Sequence, residues 1–429
     1  MKKSEQSRSD RLRVRAAVVS PRQGMPLAIS AFSALRHPNF RLFYLGQILS
    51  LSGTWMQTTA QGWLVLELTD SEFLLGLAAA AGQLPVLIFT LYAGVLADRA
   101  DKRRILIMAQ SAALLQAMAM AVMTDLGTIT FGWIIVLVLV LGTANAFEIP
   151  TRQAFYVDLV DRKDLTNAIA LNSSAFSATR IVGPAVAGAL IGAVGIASAF
   201  YINAASYLGV LAALLLIKLP RYKRVPRTTT TRENLREGFG FIRDDRAIRT
   251  LIGLIAGISI FGYPYVMLMP VFARDVLGAG AVGLGWLLAA SGAGSLTGAL
   301  ALAALPKRVR RGPLLLASSL GFTVFLGGFA LSRSFPLSLA LLAGAGFTMI
   351  LNNVTTNVLV QSLVPDRLRG RVMSVYVFMF MGMAPVGALQ AGTFARWLGA
   401  PTALLIGAIT LFIIINLAWW RVRELREID

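Results

Sequence analysis

The chain has 429 residues, 56% of them hydrophobic and only 14% charged, with no cysteine and a single histidine. An ordinary soluble domain is about a quarter charged, so too little charge is present to cover a water-facing surface; the missing cysteines exclude disulfides, thiolate zinc sites and iron–sulfur clusters, and His37 cannot build a metal site by itself. The net charge of +19 excludes nothing until its placement along the chain is known.

Residues 1–39 form a basic segment around the apolar stretch Met25–Leu35, which is too short to span a bilayer and predicts an interfacial helix rather than a cleaved signal peptide. Apolar runs then predict membrane helices over Leu42–Leu66, Phe73–Ala97, Ile105–Thr124, Phe131–Pro150, Ala168–Ala193 and Ala197–Leu219. A polar linker over 220–247 follows. Beyond it, runs over Leu251–Phe272, Val282–Leu305, Pro313–Leu331, Leu337–Leu359, Val372–Phe394 and Thr402–Trp420 predict six more, before a tail over 421–429. The expected fold is an all-α membrane protein of twelve transmembrane helices in two pseudo-symmetric six-helix bundles, 40–219 and 248–420.

In that arrangement 36 of the 40 Lys and Arg fall on one side of the membrane, Arg274, Arg333 and Arg396 lie toward the other, and Arg180 alone sits inside a span. The positive-inside rule makes the crowded side cytoplasmic, together with both termini. The basic surplus then reflects topology and contact with anionic membrane lipids, not nucleic acid. An internal repeat supports two equivalent halves: Gly142, Thr151 and Leu159-Val160 recur without a gap as Gly346, Thr355 and Leu363-Val364, at an offset of 204.

The link after the second span reads Gly94-Val-Leu-Ala-Asp98-Arg99-Ala-Asp101-Lys102-Arg103-Arg104. Gly94 permits close helix approach, and Asp98 at a membrane edge needs arginines or a helix amino terminus as partners. The fifth span carries Gly183-Pro184-Ala-Val-Ala187-Gly188, in which a proline loosens the helix and small residues admit a neighbour. The first of these motifs resembles the cytoplasmic signature of the major facilitator superfamily, with Asp101 where the family often has glycine and no aspartate in the second half, where Leu305 stands. The second resembles the Gly-Pro element of antiporters in that superfamily, with Ala187 replacing one glycine. The run from Asn145 through Pro150, Arg152 and Asn167 to Gly183, together with Arg369-Gly370-Arg371, is similar to the branch of drug:proton antiporters and enterobactin exporters, and covers nearly all of residues 36–420. The resemblance implies a bacterial inner-membrane, multi-pass, monomeric secondary transporter, with a conformational latch at Gly94, Asp98, Arg99, Arg103 and Arg152 and an export-associated element at Gly183, Pro184 and Gly188.

Charge inside hydrocarbon is costly enough to mark function. Glu148 near the end of the fourth span and Arg180, about 18 Å into the fifth, are the two clear cases, expected to face a central cavity and to handle protons, pair with one another or contact an anionic substrate. The amides and aromatics Gln57, Gln61, Asn145, Tyr263, Asn353 and Asn357 are expected to line that cavity. No phosphate-cradling Walker sequence and no Gly-x-Ser-x-Gly or His-Glu-x-x-His motif occurs, which excludes an ATPase and leaves a membrane enzyme without a nucleophile or metal. The expectation is therefore a cofactor-free exporter of a small amphipathic compound (a drug, siderophore or metabolite) driven by proton antiport. A lysophospholipid flippase on the same fold and a sensor without transport are the alternatives.

Overall fold

The computed structural model describes residues 32–218, 240–306 and 309–422, the side chains of Leu91, Val95 and Asp98 excepted. Most of the expected interfacial helix therefore lies outside the described residues, and its end, Ser33–Arg36, is a 3-10 turn. The first bundle comprises α1 (Pro38–Thr69), α2 (Glu72–Arg99), α3 (Lys102–Asp125), α4 (Phe131–Leu159), α5 (Leu165–Val194) and α6 (Ile196–Leu216). The second comprises α7 (Arg246–Val276), α8 (Gly280–Ala304), α9 (Arg311–Leu331), α10 (Phe335–Leu363), α11 (Asp366–Leu398) and α12 (Ala400–Arg421).

Short polar links set the helix starts. The side chains of Ser71, Asp101, Thr130 and Asp245 each accept a hydrogen bond from a first-turn amide of the helix that follows, satisfying donors that lipid cannot. Among the described residues eleven helices are long and apolar enough to cross a membrane. The remaining one, α1, has 32 residues, about 48 Å at 1.5 Å per residue, and falls short only in apolarity, because Gln47, Ser50, Gln57 and Thr59 are buried against its own bundle instead of facing lipid.

The helices outrun their apolar stretches. α4 continues from Pro150 to Leu159, nine residues past the predicted end. Two spans are also broken where uniform helices were expected. α7 contains π-turns at Ile258–Gly262 and Phe272–Val276, flanking Pro264 and Pro270, which have no amide hydrogen to donate. α11 breaks at Met383, just before Pro385.

The offset of 204 residues reappears as geometry. Gly142 packs against the Gly82 carbonyl of α2, and Gly346 against the Ser291 carbonyl of α8. A Cβ at Gly183 would lie 2.6 Å from Trp55 Cβ, and one at Gly387 would lie 2.7 Å from the Ser259 carbonyl; each glycine and each partner is 204 residues from its counterpart. Gly188 meets Gly285 across the α5–α8 seam, and Gly392 meets Gly76 across the α11–α2 seam. These last contacts join the bundles at the end remote from the basic links, where Arg274 also bonds to Asp70 and, at 3.2 Å, to the Leu66 carbonyl. Asp70 and Arg274 are themselves 204 residues apart. The bundles are thus locked together at one end.

Candidate functional site

Three helices converge around Arg180. Gly183, one turn further along α5, lets α1 approach at Trp55 and Ser52, and a Cβ at Gly292 of α8 would lie 3.1 Å from the Arg180 carbonyl oxygen. Pro184, four residues on, cannot donate to that carbonyl. This packing sets the Arg180 guanidinium 5.8 Å from the centre of the Trp55 ring, and Phe176 meets the same ring edge-on at 5.5 Å. Among the described residues no carboxylate pairs with Arg180. A cation over an aromatic face contributes about 0.5–2 kcal/mol, short of the ~2.5–3.5 kcal/mol that a lone cation costs at the centre of a membrane helix.

Glu148 is satisfied differently. Arg152, one turn along α4, donates to its Oε1 at 2.6 Å, and both side chains are only 12% exposed. Arg152 also reaches Asn172 Oδ1 on α5 at 3.3 Å, and Tyr156 donates to the same oxygen at 2.6 Å. The result is a desolvated acid–base pair clamped between two helices, and it assigns Glu148 to Arg152 and not to Arg180. A buried pair of this kind adds little stability over apolar residues of similar size, so stability alone does not account for it.

The second bundle supplies an uncharged wall. Tyr263, just after the first π-turn of α7, meets Phe380 edge-on at 5.2 Å; it lies within electrostatic range of Asn353 and Arg180. Tyr376 interacts with Asn357, whose Oδ1 accepts from Gln361 at 2.6 Å. Asn353 Oδ1 is buried without a hydrogen-bond partner.

Other residues singled out from the sequence lie elsewhere. Gln57 does not line a cavity: it is 2% exposed and sits inside the first bundle, accepting from Asn203 of α6 at 2.6 Å and donating to Gln116 of α3 at 2.9 Å. Two amide partners on neighbouring helices outcompete a place facing water. Gln61 and Asn145 are half-buried. A Cβ at Gly94 would meet nothing within 4 Å, so the expected close approach is missing; near the basic end α2 has no close neighbour at this position, whereas its opposite end is packed on α11. The Asp98 side chain lies outside the described residues, and Arg99 is exposed. Arg103 bonds to the Leu215 carbonyl at the end of α6 at 2.7 Å, and Lys102 pairs with Asp158 at 2.7 Å. Arg152, assigned to the latch from the sequence, belongs to the Glu148 pair.

His37 does find carboxylates nearby, Asp161 and Asp164, but its Nε2 is 2.8 Å from Asp164 and ties the chain before α1 to the start of α5. A cavity of about 640 Å³ between α2, α3 and α4 is lined by apolar residues except Thr143 and offers nothing to orient a polar ligand. Sequence reasoning missed Asn172, Tyr156 and Tyr376; an amide inside a predicted span, as at Asn172, is the signal that marks it.

A family model described as transmembrane secretion effector matches residues 29–429. The chain is 24% identical over 388 residues to the staphyloferrin A transporter of Staphylococcus aureus, covering 90% of this chain and 97% of that one. It is 26% identical over 388 residues to the multidrug efflux pump Tap of Mycolicibacterium fortuitum, covering 88% and 94%. Its fold is similar to that of a bacterial homologue of the human lysosomal transporter Spinster in an inward-facing, unoccupied conformation, with a TM-score of 0.73 at 14% identity over 90% of this chain and 96% of that one.

Proposed function

The chain belongs to the transmembrane secretion effector family of major facilitator transporters, and from that premise we propose that it exports a small amphipathic compound from the cytoplasm in exchange for protons. The positive-inside rule puts the basic end in the cytoplasm, and the contacts that join the bundles, Gly188 with Gly285 and Gly76 with Gly392, then lie toward the opposite face. The reading is carried by the buried Glu148–Arg152 pair, held between α4 and α5 by Asn172 and Tyr156.

Antiport requires that proton and cargo favour different states, because a ligand shifts a conformational equilibrium only by its differential affinity. Protonation of Glu148 removes half of the pair that joins α4 to α5 through Arg152. The Arg152 fork keeps Asn172 but loses its counter-charge, and the α4–α5 relation changes at the point where α5 carries Arg180 and the α8 seam. Proton entry at Glu148 thereby acts on the cargo wall through one helix. A membrane potential of 100 mV supplies about 2.3 kcal/mol per charge, enough for more than tenfold accumulation with one proton.

The test uses proteoliposomes with an imposed pH gradient. The wild-type protein should accumulate cargo against its gradient, and Glu148→Gln should lose uphill accumulation while still binding cargo. Uphill pumping by that variant would place coupling elsewhere. Orientation is checked separately in this cysteine-free chain: a cysteine replacing Arg162 should label only from the cytoplasm, and one replacing Arg333 only from outside.

A further inference from the structure

The charge balance across the two bundles selects the cargo. Inside the spans the first bundle carries Glu148, Arg152 and Arg180, and the positions 204 residues on are Asn352, Thr356 and Ala384, all uncharged. Glu148 and Arg152 cancel one another at 2.6 Å. Among the described residues Arg180 is left as one uncompensated positive charge where α1, α5 and α8 meet, its guanidinium carbon 5.8 Å from the centre of the Trp55 ring. A guanidinium offers five donors in a planar fork that matches a carboxylate, and its strongest missing partner here is an anion. Beside it Phe176 meets the Trp55 ring edge-on, and on the second bundle Tyr263, within electrostatic range of Arg180, meets Phe380 edge-on.

We infer that the compound exported is an organic anion, a carboxylate on an aromatic or otherwise flat apolar body, with its charge on Arg180 and its body between Trp55 and Tyr263. A cationic amphipath is disfavoured, because it would face the Arg180 guanidinium with no carboxylate free to receive it among the described residues. This inference rests on the exporter reading for its direction of transport but not for its chemistry, which binding alone tests.

The experiment measures binding of three matched probes to the purified protein, with no gradient present: 1-naphthaleneacetate, 1-naphthaleneacetamide and 1-naphthalenemethylammonium, followed through tryptophan fluorescence. The anion should bind about tenfold more tightly than the neutral amide, the size of one charge-assisted contact, and the cation more weakly than either. Arg180→Gln should bring the anion-to-amide ratio to about one, and Arg180→Lys should keep most of it, which separates lost charge from lost fold. Equal binding of anion and amide, tighter binding of the cation, or no saturable binding of the anion up to millimolar concentration overturns the inference. A protein that shows the anion preference but pumps nothing uphill contradicts the exporter reading alone.

Discussion

The two bundles share their packing and differ in their charge. Gly142 and Gly346, Gly183 and Gly387, and Gly188 and Gly392 admit neighbouring backbones at equivalent places, and Thr151 and Thr355 are both fully buried. Over the same frame Glu148, Arg152 and Arg180 of the first bundle are matched by Asn352, Thr356 and Ala384 of the second. Asn352 bonds to Ser319 of α9, a neutral contact that cannot exchange a proton. Small residues thus preserve a symmetric scaffold, while the membrane-buried charges lie in the first bundle; in the proposed antiport this confines proton exchange and charge recognition to one side. Rocking needs two similar bodies; coupling needs only one of them to change its charge.

The sharpest break of this comparison is to overpack the two equivalent glycines. Gly183→Leu and Gly387→Leu should each cost about 1–3 kcal/mol of stability, read as similar drops in the melting temperature of the purified protein, because each Cβ meets an opposing helix at under 3 Å. Gly183→Leu should also erase most of the preference for an anionic over a neutral probe, about tenfold, since it displaces Trp55 beside the Arg180 guanidinium, whereas Gly387→Leu, which presses on the segment before Tyr263, should weaken both probes alike. An equal loss of charge preference in Gly387→Leu would mean that charge recognition is not confined to the first bundle.

A smaller effect is expected at the ends of α2. Gly94 has open space around it while Gly76 is packed on α11, and under the proposed alternating access a latch at Asp98 acts in the state opposite to this one. Asp98→Asn should reduce turnover several-fold, about 1 kcal/mol of bias between states, and leave probe affinity in the present state unchanged. Undiminished turnover at normal expression would reduce Asp98 to a loop residue.

The smallest effect belongs to the tie at the start of α5. Hydrogen bonds from His37 and then Ser33 hold the Asp164 carboxyl below the usual carboxylate range. A carboxylate whose ionised form is favoured in the fold contributes stability that is complete above its ordinary value, about pH 4, and is lost as pH falls through its lower native value. Asp164→Asn should therefore lower the melting temperature by about a degree at neutral pH, and this deficit should vanish on acidification toward pH 3. A deficit independent of pH would assign the effect to packing.

Much of this architecture was legible in the sequence because lipid imposes a simple rule: apolar runs, alternating basic links and a 204-residue repeat survive any detail of packing. Charges inside those runs were equally visible, which is how Glu148 and Arg180 stand out. Their partners were harder to read. Arg152 lies at helical spacing from Glu148, yet the apolar run ends at Pro150 and placed it in a link; the helix continues to Leu159 and turns the two into neighbours. Gln57 shows the opposite failure. An amide in a span satisfies itself either toward water or toward another helix, and only the fold brings Asn203 and Gln116, 146 and 59 residues away, to its two ends. The π-turns of α7 depend on how Pro264 and Pro270 share the load with neighbouring backbone, which apolarity does not encode.

In the proposed antiport one bundle carries the proton. The direct measurement is proton release by the purified protein in weakly buffered solution when a saturating cargo or anionic probe is added. With Glu148 ionised in its pair with Arg152, the wild-type protein should release no proton on binding at alkaline pH. At a pH low enough to protonate Glu148 it should release up to one proton per molecule bound, Asn352→Asp should behave as the wild type, and Glu148→Gln should release none at any pH while still binding. Release that persists in Glu148→Gln would contradict the claim.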